Sequence, residues 1–435
     1  MINLILFGSF FVLLLLNVPI AVSLGMSSVF ALLYGGSSLS VIPTNVFSGM
    51  SKFLLLAIPF FVLSGNIMAK AGISSRLVAF ADDCVGHRRG GIAIVAVIVA
   101  CFFGAISGSG PATVAALGII LIPAMINRGG FSAPFASSIM ASASSIAIVI
   151  PPSIAFVVYA SITGVSVGDM FMGGWLPGIM MGAALVIVIM IECRKKGIQA
   201  SKAKSSWGDR WKSFCNAFWG FLMPVIIIGG IYGGIFTPTE AAAVSVVYGL
   251  IVGLFIYREV KLKDLVDLLV DSGKTTGGIM LIIGAATLFS YVCTVFGIAQ
   301  AAQALLLQIA GNKYVFLLIC NIIFLIAGCF VDANSAMYIF IPIMYPVALQ
   351  LGIDPIHFGV MSTVNLAIGQ VTPPVGVNLF VAIGISSKLQ GLRDKTPVNI
   401  VSMSKAVWPQ IVACVITLMI VTYVPWFSTV LLFGK

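Results

Sequence analysis

Two short polar segments interrupt long apolar sequence and are the strongest candidates for binding chemistry. Residues 105–113 contain the hydroxyl side chains of Ser107, Ser109 and Thr113 among glycines. Residues 329–336 contain Asp332, the one carboxylate of that segment. Glycines allow backbone carbonyls and amides to turn toward a ligand. The sequence therefore predicts two polar tips that bind an ion or a small polar solute.

Two double prolines follow these segments, at Pro151-Pro152 and Pro373-Pro374. Each removes two backbone donors and clashes with the preceding turn, so a helix must open there. In lipid, an opened helix persists only where protein or a water-filled cavity satisfies its backbone, and paired interruptions mark a midplane site in secondary transporters. The pattern predicts a secondary transporter with two broken helices.

Tips and unwound carbonyls together can form two oxygen cages for a hard monovalent cation. The candidate ligands are Ser107, Ser109, Val149 and Pro152 for the first cage, and Asp332, Gly369, Thr372 and Pro374 for the second. No Lys or Arg occurs between Gly129 and Cys193 or between Tyr314 and Ser387. An anionic substrate would thus be held by hydroxyls, backbone amides, helix N-termini and bound cations.

Matching signals recur in the same order and at nearly constant separation, which predicts a tandem of two similar repeats. The predicted divisions are repeat 1 (1–192, tip near 105–113, break at 149–153), a basic linker (193–212) and repeat 2 (213–435, tip near 329–336, break at 369–376). Each repeat would hold a hairpin with arms of about 15 residues, too short to span the bilayer. If each repeat crosses the membrane an odd number of times, the two are inverted.

Composition defines the class of protein, because 60% of the 435 residues are hydrophobic and 8% are charged, against about 25% charged in soluble domains. We expect an all-α polytopic membrane protein. The formal net charge is +10, yet seven cations lie between Arg194 and Lys212. The positive-inside rule places this linker in the cytoplasm, which favours a loop at an inner membrane over a nucleic-acid surface. The apolar N-terminal run reads as a retained helix.

The polar tips and the double prolines can also be explained by a purely structural role. Asp332 could cap a helix, the serine and glycine tip could pack helices closely, and the double prolines could be kinks. For Thr237-Pro238-Thr239-Glu240 the structural explanation is favoured, because this spacing is that of a capping box. The segment 259–269 has helical amphipathic spacing and predicts a helix lying in the membrane interface.

Two other functions were weighed against transport. An intramembrane serine hydrolase would use Ser107 or Ser109, but the surrounding residues do not match a nucleophile elbow and neither histidine lies in a membrane core. A passive anion channel would not need Asp332 and would conduct without a sodium gradient. The sequence therefore favours a carrier and not an enzyme.

Four ordered stretches resemble one family across essentially the whole chain. Residues 57–66, 103–109, 237–242 and 369–376 are similar to the large (M) membrane subunit of tripartite ATP-independent periplasmic (TRAP) transporters. The resemblance implies an elevator-type fold of the ion-transporter superfamily with inverted repeats, re-entrant hairpins and broken helices. It implies sodium as the coupling ion at the two cages named above, and a substrate carboxylate bound at Ser109 and Ser153.

The resemblance also implies partners and a substrate class. A small membrane subunit of the Q type would form a heterodimer with this chain, as the unfused form of the large subunit, and a periplasmic substrate-binding protein of the P type would deliver a small organic acid. The chain looks most like the sialic acid (N-acetylneuraminate) branch, with C4-dicarboxylate carriers as the alternative. A multi-pass protein of the bacterial inner membrane is expected.

Overall fold

The structure is a computed structural model that describes residues 1–394 and 396–432, and this part of the chain is almost entirely helical. The first ten helices are α1 (Ile2–Leu15), α2 (Ile20–Tyr34), α3 (Val41–Met50), α4 (Ala57–Lys70), α5 (Ile73–Val85), α6 (Gly91–Ser107), α7 (Gly110–Asn127), α8 (Ala133–Ser145), α9 (Ile154–Thr163) and α10 (Val167–Lys195). The remaining helices are α11 (Trp207–Tyr232), α12 (Pro238–Ile251), α13 (Asp264–Val295), α14 (Ile298–Ala310), α15 (Lys313–Phe330), α16 (Ala333–Gln350), α17 (Pro355–Gly369), α18 (Val377–Ser386), α19 (Ile400–Tyr423) and α20 (Trp426–Thr429).

Eight segments of the described chain are helices long and apolar enough to cross a membrane. The longest are α13, with 32 residues, and α10, with 29 residues. The hairpin arms α6, α7, α15 and α16 have 17 or 18 residues, somewhat more than the sequence predicts. Two of these arms, α7 and α15, are among the eight. The architecture is the predicted all-α polytopic membrane protein.

The packing of the helices repeats with the two halves of the chain exchanged. Helix α2 packs on α13 as α12 packs on α4, and α10 packs on α17 as α19 packs on α8. The broken helices behave in the same way, since α9 packs on α16 while α18 packs on α7. These contacts of one half therefore have counterparts in the other. Helix α10 ends at Lys195 and α11 begins at Trp207; the limits of the repeats themselves stay a prediction.

The beginning of α12 shows how the sequence fixes a helix terminus in this chain. The Thr237 backbone N–H donates to Glu240 Oε2 at 2.8 Å, and the Glu240 N–H donates to Thr237 Oγ1 at 3.3 Å. Both side chains thus satisfy backbone donors that the first helical turn leaves free. The structural explanation of this motif, as a capping box, is confirmed.

The bounds of the predicted interfacial helix over 259–269 are wrong. The chain turns at Arg258, where φ is 56°, and a single helix then runs from Asp264 to Val295. No residue between Asp264 and Asp271 interrupts a helix, so the amphipathic start continues into the membrane-spanning part. Two short amphipathic helices of the described chain are instead α5, whose buried residues recur every three or four positions, and α14.

The basic linker between α10 and α11 is anchored to the end of α5. Lys202 Nζ donates to Asp83 Oδ1 at 2.5 Å, and Ser205 Oγ donates to the same oxygen at 2.9 Å. Burial raises the pKa of the Asp83 carboxyl, but hydrogen bonds led by that of Lys202 outweigh burial and hold this pKa below its usual value. The contact places α5 on the same side of the membrane as the linker.

Candidate functional site

The first hairpin turns back inside the protein, directly against the first broken helix. Helix α6 ends at Ser107, and Gly108 adopts φ +60° before α7 begins at Gly110. The Ile154 N–H donates to the Gly108 carbonyl at 3.4 Å. A Cβ atom at Gly108 would lie only 2.8 Å from the Pro152 carbonyl oxygen. The tip therefore requires glycine and contacts the Pro-Pro break at residue 152.

The hydroxyl groups of this tip form a small network. Ser107 Oγ and Thr113 Oγ1 are 2.9 Å apart, and Thr113 Oγ1 donates to the Ser109 carbonyl at 2.8 Å. Ser107 is buried and Ser109 is half-buried, and both line a cavity of about 90 Å³. The tip thus borders a space that a ligand could enter.

Beyond the tip, the broken helix presents Ser153 and Val149 in different directions. Ser153 caps α9 by accepting from the Phe156 N–H at 3.4 Å, and its hydroxyl donates to the Ile148 carbonyl at 2.5 Å. The Val149 carbonyl oxygen lies toward α10, where a Cβ at Gly174 would be 2.7 Å from it. The structure thus brings Pro152 and Ser153 to the tip, and it places the Val149 oxygen against α10.

The second tip centres on Asp332, which caps α16. Its Oδ2 accepts from the backbone N–H groups of Asn334 at 3.0 Å and Ser335 at 3.3 Å, and its Oδ1 accepts from the Ser335 hydroxyl. The capping role considered from the sequence is present. Among the described residues no Lys or Arg forms an ion pair with this carboxylate. Its charge is therefore left for another partner.

The second break lies against this tip as closely as the first break does against its own. The Gly376 N–H donates to the Cys329 carbonyl at 3.1 Å. A Cβ at Gly369 would lie 2.5 Å from the Cα of Gly328, so α15 and α17 cross in direct backbone contact. Thr372 Oγ1 donates to the Ile368 carbonyl at 2.8 Å. Gly369 and Thr372 are thus held beside the second tip, with Pro374 exposed in the loop that follows.

Two buried amides that the sequence analysis did not single out lie between the first tip and the second break. Gln370 and Asn378 are almost fully buried, and Gln370 Oε1 and Asn378 Oδ1 have no donor among the described residues. A Cβ at Gly110 would lie 2.9 Å from Gln370 Oε1 and 3.0 Å from Asn378 Oδ1. The signal available in the sequence was two amides flanking the second double proline, within an apolar segment.

The chain is similar to known membrane permeases along most of its length. The family described as "Tripartite ATP-independent periplasmic transporter, DctM component" matches residues 7–427. The C4-dicarboxylate TRAP transporter large permease protein DctM of Pseudomonas aeruginosa is 43% identical over 94% of this chain and 93% of that protein. The isethionate TRAP transporter permease protein DctMQ of Oleidesulfovibrio alaskensis is 39% identical over 97% of this chain and 65% of that protein.

A more distant relative and one solved structure complete the comparison. The sialic acid TRAP transporter large permease protein SiaM of Vibrio cholerae is 33% identical over 96% of each chain. The crystal structure of the Alcanivorax borkumensis YdaH transporter has a TM-score of 0.61 to this chain at 14% identity, covering 89% of this chain and 88% of that one. This second similarity concerns the fold alone.

Paired hairpin tips against paired broken helices define a polytopic secondary transporter. The chain belongs to the DctM family of TRAP transporter large permeases, and it is a multi-pass protein of the inner membrane. The family resemblance seen in the sequence is confirmed. Its assignment to the sialic acid branch is not, because the dicarboxylate relative is the more similar of the two.

Proposed function

We propose that this chain imports a small organic acid, foremost a C4-dicarboxylate, by secondary active transport coupled to sodium. The observation that carries the proposal is the arrangement of two hairpin tips, each in direct contact with a Pro-Pro break, at a site whose sequence surroundings lack Lys and Arg. An anion at such a site depends on helix N-termini, hydroxyls and bound cations for its stabilisation.

The proposed roles of the residues are those predicted from the sequence. For the first cage, Ser107, Ser109 and Pro152 lie together at the tip, whereas the Val149 carbonyl oxygen lies against α10. Sodium would bind the first cage formed by Ser107, Ser109, Val149 and Pro152, and a second cage formed by Asp332, Gly369, Thr372 and Pro374. A substrate carboxylate would bind at Ser109 and Ser153, next to the N-termini of α7 and α9. A hydrolytic role for Ser107 lacks support, because its hydroxyl is paired with Thr113 and not with a histidine.

The choice of substrate class is supported by similarity. The dicarboxylate relative is 43% identical and the sialic acid relative 33% identical, so sialic acid becomes the second candidate. A third relative, 39% identical to this chain, is named for isethionate, so permeases of comparable similarity are named for different organic acids. The test below therefore measures sodium coupling and substrate preference separately.

The partners are part of the same proposal. Membership in a tripartite family supports a small membrane subunit of the Q type and a periplasmic binding protein of the P type. The DctMQ relative, of which this chain covers 65%, supports the first of these. An elevator-type movement of the tips and broken helices against the other helices is proposed as the mode of transport.

The test is uptake into proteoliposomes that hold this chain with its small subunit, after addition of the binding protein. Labelled succinate, sialic acid and isethionate are compared with and without an inward sodium gradient. Succinate uptake that needs both sodium and the binding protein is expected. Uptake of sialic acid alone would overturn the substrate class, and flux or conductance that persists without sodium would support the channel alternative and overturn coupling.

A further inference from the structure

One difference between the two halves of the chain lies beside the two tips. In the second half, α16 packs directly against α13. In the first half, two cavities of about 90 and 350 Å³ lie between the corresponding helices α7 and α4. The contacts of α9 with α16 and of α18 with α7 do repeat, so this difference leaves the structure open on one side of the first tip and closed beside the second.

The two cavities are adjacent, and we treat them together as one route. Both are lined by Asn66, Ala69 and Ala116. The inner cavity reaches Ser109 of the first tip, and the outer one reaches Lys70 of α4. A solute leaving the Ser109 hydroxyl would therefore pass Asn66 before it meets Lys70.

The route leads toward the basic linker. Along α7, its lining residues run from Ala112 near the tip to Ile120, in the direction of Arg128. Arg128 contacts Asp82 Oδ2 at 3.4 Å, and Lys202 of the linker lies 3.9 Å from the same oxygen. The positive-inside rule places that end in the cytoplasm, so the route connects the first tip with the cytoplasm.

The polar groups on this route suit a carboxylate. Lys70 is the one cation among the residues that line the two cavities, and its Nζ is 3.7 Å from Asp264 Oδ1 with about half of its side chain exposed. Asn66 Nδ2 donates to Ser272 Oγ at 2.8 Å, which joins α4 to α13 between the cavities. The lining carboxylate Asp271 is exposed and lies 3.6 Å from a lysine of its own helix.

We propose that the Asn66 amide and the Lys70 ammonium form a transient subsite for the carboxylate substrate on its way from Ser109 to the cytoplasm. The inference rests on the proposed function, since it takes the organic acid as the solute. At the neck, Asn66 exchanges its Ser272 partner for a substrate oxygen. At the mouth, Lys70 exchanges Asp264 for the second carboxylate of a dicarboxylate.

Inhibition of uptake from inside the vesicle reports binding at this subsite. Sodium-driven succinate uptake is measured with increasing succinate loaded into the lumen, which corresponds to the cytoplasm for transporters that the external binding protein engages. Lys70→Gln is expected to raise the half-inhibitory luminal concentration by about two- to fivefold, the size expected for one partly exposed charge pair. Lys405→Gln, on an exposed lysine of α19, is the matched control and leaves it unchanged.

Two further variants separate substrate binding from a structural role. Asp264→Asn removes the ion pair but leaves Lys70 available, and Ser272→Ala frees the Asn66 amide. We expect neither variant to weaken luminal inhibition, whereas Asn66→Ala weakens it. Equal defects in Lys70→Gln and Asp264→Asn would show that the ion pair only holds the helices together, and would overturn the proposal. Unchanged inhibition in Lys70→Gln would do the same.

A labelling experiment is independent of transport. Ala69→Cys is introduced together with Cys215→Ser, because Cys215 is the exposed native thiol of the described chain. In inverted membrane vesicles a membrane-impermeant maleimide is expected to modify residue 69, and succinate to slow this reaction. Labelling without protection would overturn the subsite. Protection by succinate in a chain that fails to take up succinate would instead retain the subsite and refute the proposed function.

Discussion

Asp332→Asn tests whether the second tip needs the charge of its side chain or only the helix cap. The Asp332 carboxylate accepts from two backbone N–H groups and from the Ser335 hydroxyl. Asparagine caps a helix about as well as aspartate, so we expect Asn to change the free energy of unfolding little, while Asp332→Ala costs about 1 kcal/mol. The two variants therefore separate cap from charge.

The expected effect on sodium is much larger than the effect on stability. With an effective dielectric of about 20, a charge 4 to 6 Å from a bound cation contributes about 3 to 4 kcal/mol, which corresponds to a hundredfold or greater loss of affinity. No Lys or Arg among the described residues pairs with Asp332 to compensate. Asp332→Asn is thus expected to raise the half-saturating sodium concentration at least a hundredfold.

The assay is the initial rate of uptake as a function of sodium concentration, with thermal unfolding of the purified complex measured in parallel. Asp354→Asn is the matched control, because Asp354 caps α17 in the same manner, accepting from the His357 N–H at 2.9 Å. Its sodium dependence should remain that of the original chain. A wild-type sodium dependence in Asp332→Asn would refute the assignment of the second cage.

Three further predictions concern the tips and the linker. Gly369→Ala places a Cβ 2.5 Å from the Cα of Gly328, so α15 and α17 must separate by about 1 Å. Overpacking of this kind costs about 1–3 kcal/mol of folding free energy. We expect a lower unfolding temperature together with weaker sodium activation. Ser109→Ala should raise the apparent KM for substrate with little change in stability, and unchanged kinetics would contradict its role. The pKa of Asp83 is lowered in the folded chain, so its contribution to the stability of the linker anchor is present above the ordinary carboxyl pKa and is lost as the pH falls through the folded value. Asp83→Asn should therefore speed tryptic cleavage at Lys202 at neutral pH. Unchanged cleavage would argue against the anchor.

The tips and breaks could be predicted from the sequence because their cause is local. Proline removes a backbone donor wherever it stands, and Gly108 adopts a positive φ that other residues rarely adopt. The bounds predicted for the helix over 259–269 were wrong because helix ends are not fixed by amphipathic spacing. Amphipathic spacing shows which side of a helix faces lipid, but it does not show where that helix ends, and α13 continues to Val295.

Other parts of the site depend on residues far apart in the chain. Gln370 and Asn378 meet Gly110 only because α18 packs on α7, and no local pattern contains that contact. The direction of the Val149 carbonyl is set by α10. The cavities between α4 and α7 are a property of one conformation, whereas the sequence is common to all conformations. These features had to come from the structure.

The interleaving of the two halves argues that both tips move together. The half helix after each break packs on the hairpin of the other half. Buried hydroxyls also join the two halves: Ser161 of α9 to Tyr338 of α16 at 2.9 Å, and Ser386 of α18 to Ser137 of α8 at 2.6 Å. Moving one tip alone would break such bonds, at about 1–3 kcal/mol for each buried group left unpaired. A joint movement retains them. If the tips and broken helices move as one body, a shift that closes the cavities between α4 and α7 must separate α16 from α13, and the site would then open on the opposite side of the membrane.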